Sequence, residues 1–354
     1  MKTRLNRLRN WLGVSGALFT ASVWLLASAS VGEAATWQTC AGNTIRWNSG
    51  RADMYISTTS FPAGSSWDGR LQNAMWHWNN VKGAGFNFYV GRDTDGTHSR
   101  SNGVNEVYLS NTEVGSALAV TFSRFHCYWL FGYWYGIDET DIAFNNNLSW
   151  TTGKFNYGSL GSPFNFELVA LHELGHALGL KHEDRVMATL NSFYPHSGPL
   201  GYYKEVDPHA DDRLGVRNLY RDGTTETDVA GSAFKRTGTG TSGLVSSPAS
   251  ARRGTNVTLE FSFANLSTAF QTFDIGFYLS TNSFISTSDI FLGRNNGASA
   301  PSGTTGTFSR TLYIPTWISP GTYSLGFLID PNNVKGENNE NNNNQPMPRT
   351  ITIF

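Results

Sequence analysis

The chain has 354 residues, 15% of them charged and 14% aromatic, with a formal net charge of −1. That length suits two ordinary domains. So even a charge balance does not suggest a nucleic-acid partner, and none is expected.

The first 35 residues read as a secretion signal. Lys2, Arg4, Arg7 and Arg9 form a basic start, residues 11–26 are apolar, and Ala27-Ser28-Ala29 is a small-residue cleavage site, with Gly32-Glu33-Ala34 as an alternative. An uncleaved anchor is the rival, but the apolar stretch is short for a membrane span. Removing the four basic residues and one acidic residue of this segment leaves 22 basic and 26 acidic residues, a net of −4. No later stretch reads as a membrane span, so the expectation is a secreted, extracellular protein with no membrane association once the signal is removed. In an exported chain Cys40 and Cys127 are expected to form a disulfide, two free thiols being the alternative.

Residues 36–60 open with strand-like stretches at 44–47 and 54–56. A helix is expected over 67–81, where Leu71, Ala74, Met75 and Trp78 recur at helical spacing and Gly83 and Gly85 stop the run. Strands follow at 86–90 and 104–109. Between them, Asp93-Thr94-Asp95-Gly96 reads as an Asp/Gly turn in preference to the start of a calcium loop. Ala117, Leu118, Ala119, Val120 and Thr121 are small and mostly apolar, and they form the candidate substrate-binding strand. Residues 125–135 gather aromatics around Cys127. They suit a partly buried hairpin or, alternatively, an apolar wall for substrate. A further strand is expected at 140–145, and a helix after Ser162-Pro163, with Ser as N-cap and Pro at the first position.

That helix carries the chemistry. Residues 171–182 read LHELGHALGLKH. His172 and His176, four apart, share one helix face and can hold one Zn²⁺ between them. Glu173 follows the first histidine and can lean over the same metal without ligating it. Gly179 ends the helix, because a residue without Cβ accepts a left-handed cap. The chain then turns back and delivers His182 as a third nitrogen. Three imidazoles plus a water make an open, catalytic zinc site. Residues 208–220 suit a closing helix that begins with Asp211-Asp212. His196 and His209, lacking partners at ligand spacing, are expected at the surface.

Residues 223–242, rich in Thr, Gly and Ser, read as a flexible linker. Beyond them the pattern is all β. Val257, Leu259, Phe261 and Phe263 alternate with polar or small residues, as do Phe273, Ile275, Phe277 and Leu279, and then Tyr323, Leu325, Phe327 and Ile329. Turns rich in Gly, Asn and Pro separate them, favouring an antiparallel sandwich.

Residues 36–222 resemble the metzincins and, within them, the matrixin-like secreted peptidases. The resemblance rests on FELVALHELGHALGLKH, VMATL, TDIAFN and DDRLGVRNLY together. It implies an α+β metzincin-like catalytic domain, a mixed twisted sheet plus an active-site helix. It also implies that His172, His176 and His182 are zinc ligands, that Glu173 is the catalytic base and that Met187 lies in the Met-turn under the metal. Glu183 stands where matrixins commonly have Ser, and the structural-zinc histidine pattern is absent, so one catalytic zinc is carried over; calcium is possible but not predicted. Residues 243–354 are similar to the cell-adhesion-related CARDB domain, an all-β immunoglobulin-like sandwich, through IGFYLSTNSFISTSDIFLG and IPTWISPGTYSLGFLID.

The expected activity is therefore that of a zinc metalloendopeptidase, acting on protein or peptide substrates. The second domain is expected to meet a surface, matrix or polymeric ligand. The alternatives are an adhesive or carbohydrate-binding surface protein with an inactive peptidase-like domain, against which the intact Glu173 argues, and a zinc hydrolase of another substrate class.

Overall fold

The computed structural model describes residues 36–354 apart from 197, 203–204 and 238–240. The expected signal segment, residues 1–35, lies outside the described residues. No helix among the described residues is long and apolar enough to cross a membrane.

The first half is a five-stranded sheet with helices packed on it. Strand β1 (Arg51–Ser57) buries Ala52, Met54 and Ile56 on alternate positions, and helix α1 (Ser66–Asn79) follows it. Next come β2 (Asn87–Asp93), β3 (Asn105–Ser110), β4 (Ala119–Trp129) and β5 (Tyr133–Asn145). The sheet order is β2-β1-β3-β5-β4. All neighbours run parallel except β4, which folds back antiparallel on β5 and ends the sheet. Among the described residues no strand pairs with the outer edge of β4.

Ser65 caps α1 by accepting from the Asp68 amide, and the expected stripe Leu71, Ala74, Met75 and Trp78 is buried. Trp78 Nε1 donates to the Leu171 carbonyl at 2.9 Å, fastening α1 to helix α2 (Phe166–Ala177). Helix α2 is buried along nearly its whole length, as suits a helix apolar on most faces. It starts later than Ser162-Pro163 suggests. Phe164 and Asn165 pair with Trp150 and Thr151 as a short parallel ladder, so the backbone stays extended up to Asn165. The Asn165 side chain then caps the helix, accepting from the Leu168 amide at 2.9 Å. Helix α3 (Ala210–Leu219) closes this half.

Where a flexible linker is expected over residues 223–242, the described residues include strands. Glu226 and Asp228 are buried, and Val229–Ser232 is strand β6, buried throughout. Strands β7 (Phe234–Thr237) and β8 (Thr241–Leu244) pair with each other, and the Phe234 ring sits 6.0 Å from Phe155 and 5.8 Å from Tyr157. The reason is ionic as much as apolar. Buried Arg213 and Arg217 of α3 both pair with Glu226, and Arg217 also donates to the carbonyls of Leu266 and Ser267. Both halves fall in one compact unit, Ala34–Phe354.

The second half is two packed sheets. Strand β6 pairs with β9 (Asn256–Asn265), which pairs with β12 (Thr305–Tyr313). In the other sheet β10 (Gln271–Ser280) lies between β11 (Ile290–Ala300) and β13 (Gly321–Ile329), and β13 also pairs with β14 (Asn344–Pro346) and β15 (Ile351–Ile353). All these pairs are antiparallel. The alternation read from the sequence is realised: the Phe261 ring meets Phe277 at 5.1 Å and Phe327 at 5.6 Å across the core.

Candidate active site

Two glycines let the site form. A Cβ on Gly175 would lie 2.6 Å from Leu190 and 3.0 Å from Trp78, so only glycine lets α2 sit this close to its neighbours. Gly179 has φ +104°, where other residues are strained, and it turns the chain so that Leu180 and Lys181 lie back beside α2. His182 thereby reaches the two helical histidines.

His172 Nε2 lies 3.1 Å from His176 Nε2 and 3.2 Å from His182 Nε2. His172 Nδ1 is 2.9 Å from the Thr189 carbonyl, and His176 Nδ1 is 2.9 Å from the Leu180 carbonyl. A carbonyl only accepts, so both protons sit on Nδ1 and the Nε2 lone pairs face one another. Burial pushes all three imidazoles below their ordinary pKa, furthest for His172, so they are neutral. Converging lone pairs repel unless a cation sits among them. A tetrahedral zinc with Zn–N bonds of about 2.0–2.1 Å spaces its nitrogens about 3.3–3.4 Å apart, close to the separations here. The donor set fits zinc, and the carbonyls that fix the ring tautomers are the outer partners such ligands need.

Glu173 is buried and touches none of the three rings through a hydrogen bond. Thr121 donates to its Oε2 at 2.6 Å. Burial pushes the carboxyl up to about 7, against the pull of the Thr121 hydrogen bonds; a dication nearby would lower it again. Met187 is buried in the turn after the third histidine, and Ser232 of β6 lies 3.9 Å from its sulfur.

A cleft of about 690 Å³ runs past these groups, lined on one side by residues 116–121. Only Ala119, Val120 and Thr121 of the expected substrate strand belong to β4. Ala117 and Leu118 precede it, and their carbonyls already accept from Asn145. Residues 125–135 do form the hairpin between β4 and β5, but its tip is exposed rather than partly buried: Phe131 is 96% exposed and Trp129 67%. The Cys40–Cys127 disulfide is present and ties this hairpin to the start of the described chain.

Three site residues escape sequence reasoning. His196 and His209 are buried, not at the surface. The loop after Met187 folds beneath the centre, stacking His196 on His172 with ring centroids 3.9 Å apart, while His209 Nε2 reaches the Gly198 carbonyl at 2.9 Å. Asp212, legible only as first-turn charge on a helix, accepts from the Thr189 and Leu190 amides and so holds the carbonyl on which His172 hangs.

Comparison with known proteins finds two family models along the chain. The Matrixin family model matches residues 131–221, and the CARDB model matches 243–346. Stromelysin-3 of Mus musculus is 37% identical over 82 residues, 23% of this chain and 14% of that protein. Matrix metalloproteinase-25 of Homo sapiens is 35% identical over 80 residues, 23% of this chain and 13% of the relative. The chain thus spans less than a fifth of the length of these curated relatives. A solved CARDB domain from Pyrococcus furiosus, crystallised with di-metal ions, overlaps 36% of this chain and 90% of its own, at 15% identity and a TM-score of 0.26. The chain carries a matrixin segment followed by a CARDB segment, and the matrixin family implies zinc dependence and peptidase chemistry in general.

Proposed function

We propose that this chain is a secreted zinc-dependent endopeptidase that hydrolyses internal peptide bonds of extracellular proteins. The observation that carries the reading is the meeting, in one cleft, of three facing Nε2 atoms, a buried carboxylate held by Thr121 and bonded to none of the three rings, and a strand edge that is unpaired among the described residues. His172, His176 and His182 would hold the zinc. When bound, zinc supplies a Lewis acid that acidifies a water and offsets negative charge on the scissile carbonyl oxygen.

The chain's own residues do the rest. Glu173 takes the proton from the attacking water and hands it to the leaving amine, as general base and then general acid. Thr121 fixes the orientation of that carboxylate through the 2.6 Å hydrogen bond. An extended polypeptide adds to the free edge of β4, where every second residue turns its N–H and C=O outward. Backbone pairing of that kind favours peptides over other hydrolysable substrates. The basic, apolar and small-residue pattern of residues 1–35 supports export. The adhesion-related CARDB segment supports contact with a surface or matrix.

The test is a digest of a proteome-derived peptide library by the purified, zinc-loaded chain, with cleavage products read by mass spectrometry. Cleavage at internal bonds, abolished by a chelator and restored by zinc, is expected. A folded chain containing zinc that leaves every peptide intact would remove the reading.

A further inference from the structure

A second cluster of metal-binding side chains lies on the sheet, apart from the three histidines. Asp93 ends β2, His98 lies in the loop that follows, and Glu106 is the second residue of β3. One ligand atom from each comes within 4.8 Å of the others. His98 Nδ1 is 3.5 Å from Asp93 Oδ2 and 3.6 Å from Glu106 Oε1. These separations are too long for hydrogen bonds, which fall at about 2.7–3.2 Å. They match the edges of a tetrahedron around an ion with bonds of about 2.0–2.2 Å.

The atoms that face inward are short of partners. Asp93 Oδ2 and His98 Nδ1 are buried with no hydrogen-bond partner among the described residues, and the Asp93 side chain is only 9% exposed. The other oxygen of each carboxylate is spoken for. Asp93 Oδ1 accepts the Asp95 amide at 3.0 Å, and Glu106 Oε2 accepts the Ser99 amide at 2.9 Å and Asn102 Nδ2 at 3.3 Å. The loop thus clamps one oxygen and leaves the second toward the imidazole. Tyr108 stacks on His98 with ring centroids 4.1 Å apart, fixing the ring plane. Such outer contacts are what orient metal ligands.

Charge points the same way. Glu139 and Asp141 of β5 are fully buried, and each leaves one oxygen without a hydrogen-bond partner among the described residues. Their other oxygens accept from the amides of Asn102 and Glu106, which places them beside the same loop and strand. Compensation is weak: Arg124, 3.8 Å from Glu139, is mostly exposed, and Arg100, whose charge also reaches Asp141, is half-exposed and paired with Glu113. Buried, underpaired carboxylates are costly and favour a bound cation.

We propose that Asp93, His98 and Glu106 form a second metal site for a divalent transition cation of the zinc class, with water completing the coordination. An oxygen-only set would suit calcium or magnesium; the imidazole nitrogen shifts the preference to zinc. The site stands independently of the peptidase reading, because it shares no residue with the histidine centre.

The experiment uses the full chain with His172→Ala and His176→Ala, dialysed against buffered Zn²⁺ and assayed for bound metal. One zinc per chain is expected to remain, and adding His98→Ala should remove it. Where His98→Ala disturbs folding, the isosteric pair Asp93→Asn and Glu106→Gln serves instead, since it removes the charges without changing shape. That pair should weaken zinc binding at least 100-fold while the far-ultraviolet dichroism stays native. No zinc on the folded double histidine variant, or zinc bound equally well after the isosteric changes, overturns the proposal.

Discussion

His172 and Ser232 both reach the turn at residues 187–190, and they come to it by very different routes. His172 projects from α2, a helix buried along nearly its whole length, and donates to the Thr189 carbonyl. Ser232 ends β6, the first strand of the sandwich, and lies against the Met187 sulfur. The first region is built from local rules: histidines four apart on one face, a glycine stop and a returning strand. The second is Thr-, Gly- and Ser-rich chain that acquires a place only because charged and aromatic partners elsewhere hold it. What the difference teaches is that composition reports how a segment is solvated when alone, not whether another surface is waiting for it. The floor of the site belongs to both halves of the molecule.

The chemistry of the first region is the sharper target. Replacing Glu173 with Ala should lower kcat/KM for a short peptide by roughly 10²–10⁴-fold, the usual worth of a positioned acid–base group. Bound zinc should stay at the wild-type level, because Glu173 touches none of the three rings. Metal loss in step with activity loss would make Glu173 a structural residue and spoil the contrast between ligand and base.

Breaking the second region should cost stability first. Glu226 is the shared anion of Arg213 and Arg217, all three buried. Glu226→Ala leaves buried Arg217 without a carboxylate and Arg213 with Asp207 alone, and should destabilise the chain by about 3–5 kcal/mol, the usual range for removing one partner of a buried pair. A chain ending at Asp222 should fare worse, because it also loses the carbonyls that receive Arg217 and the ring that covers Phe155 and Tyr157. Chemical denaturation followed by tryptophan fluorescence reads both. A truncated chain that melts like the whole one would return residues 223–242 to the role of tether.

Much of this is readable in the sequence where the governing interactions are short. His172, His176, Gly179 and His182 follow from helix geometry and one stop signal, and the sandwich strands from two-residue alternation. What is not readable depends on contacts between distant positions. Thr121 reaches Glu173 across 52 residues and Ser232 reaches Met187 across 45. His196 is misread because a Gly- and Pro-containing loop has no period to reveal its inward face. The start of α2 is misread because Ser162-Pro163 offers a good cap in isolation, whereas the ladder with Trp150 and Thr151 keeps the chain extended to Asn165.

Asp212 joins the two kinds of information, since it lies on α3 and steadies the turn under His172. Burial raises its carboxyl to about 6 from 3.8, against the opposing pull of the Thr189 and Leu190 amides. The folded state therefore holds this proton more tightly than the unfolded one. Its contribution to stability is complete below about pH 4 and declines as pH rises to about 6. Asp212→Asn should flatten that part of the stability profile. It should also cost about 1–3 kcal/mol at low pH, because one buried amide loses its acceptor. Denaturation midpoints taken between pH 4 and pH 7 would expose an unchanged slope, which would mean that Asp212 is not the group that titrates.

Ser232 is where the two regions touch, and its substitution is the finest probe of how much they share. Its hydroxyl lies 3.9 Å from the Met187 sulfur and accepts from the Phe234 amide at 3.2 Å. A contact with sulfur is weak, so the larger loss on changing Ser232 to Ala is the acceptor for a buried amide, worth about 1 kcal/mol. The loss should appear in the denaturation midpoint, and both kcat and KM for a short peptide should stay at wild-type values, because Met187 keeps its place through its own buried packing. A fall in kcat with KM and zinc content unchanged would say something stronger. It would mean that the first strand of the sandwich adjusts the turn beneath His172, and that the second half of the chain takes part in setting the geometry of the reacting groups rather than only in keeping them folded.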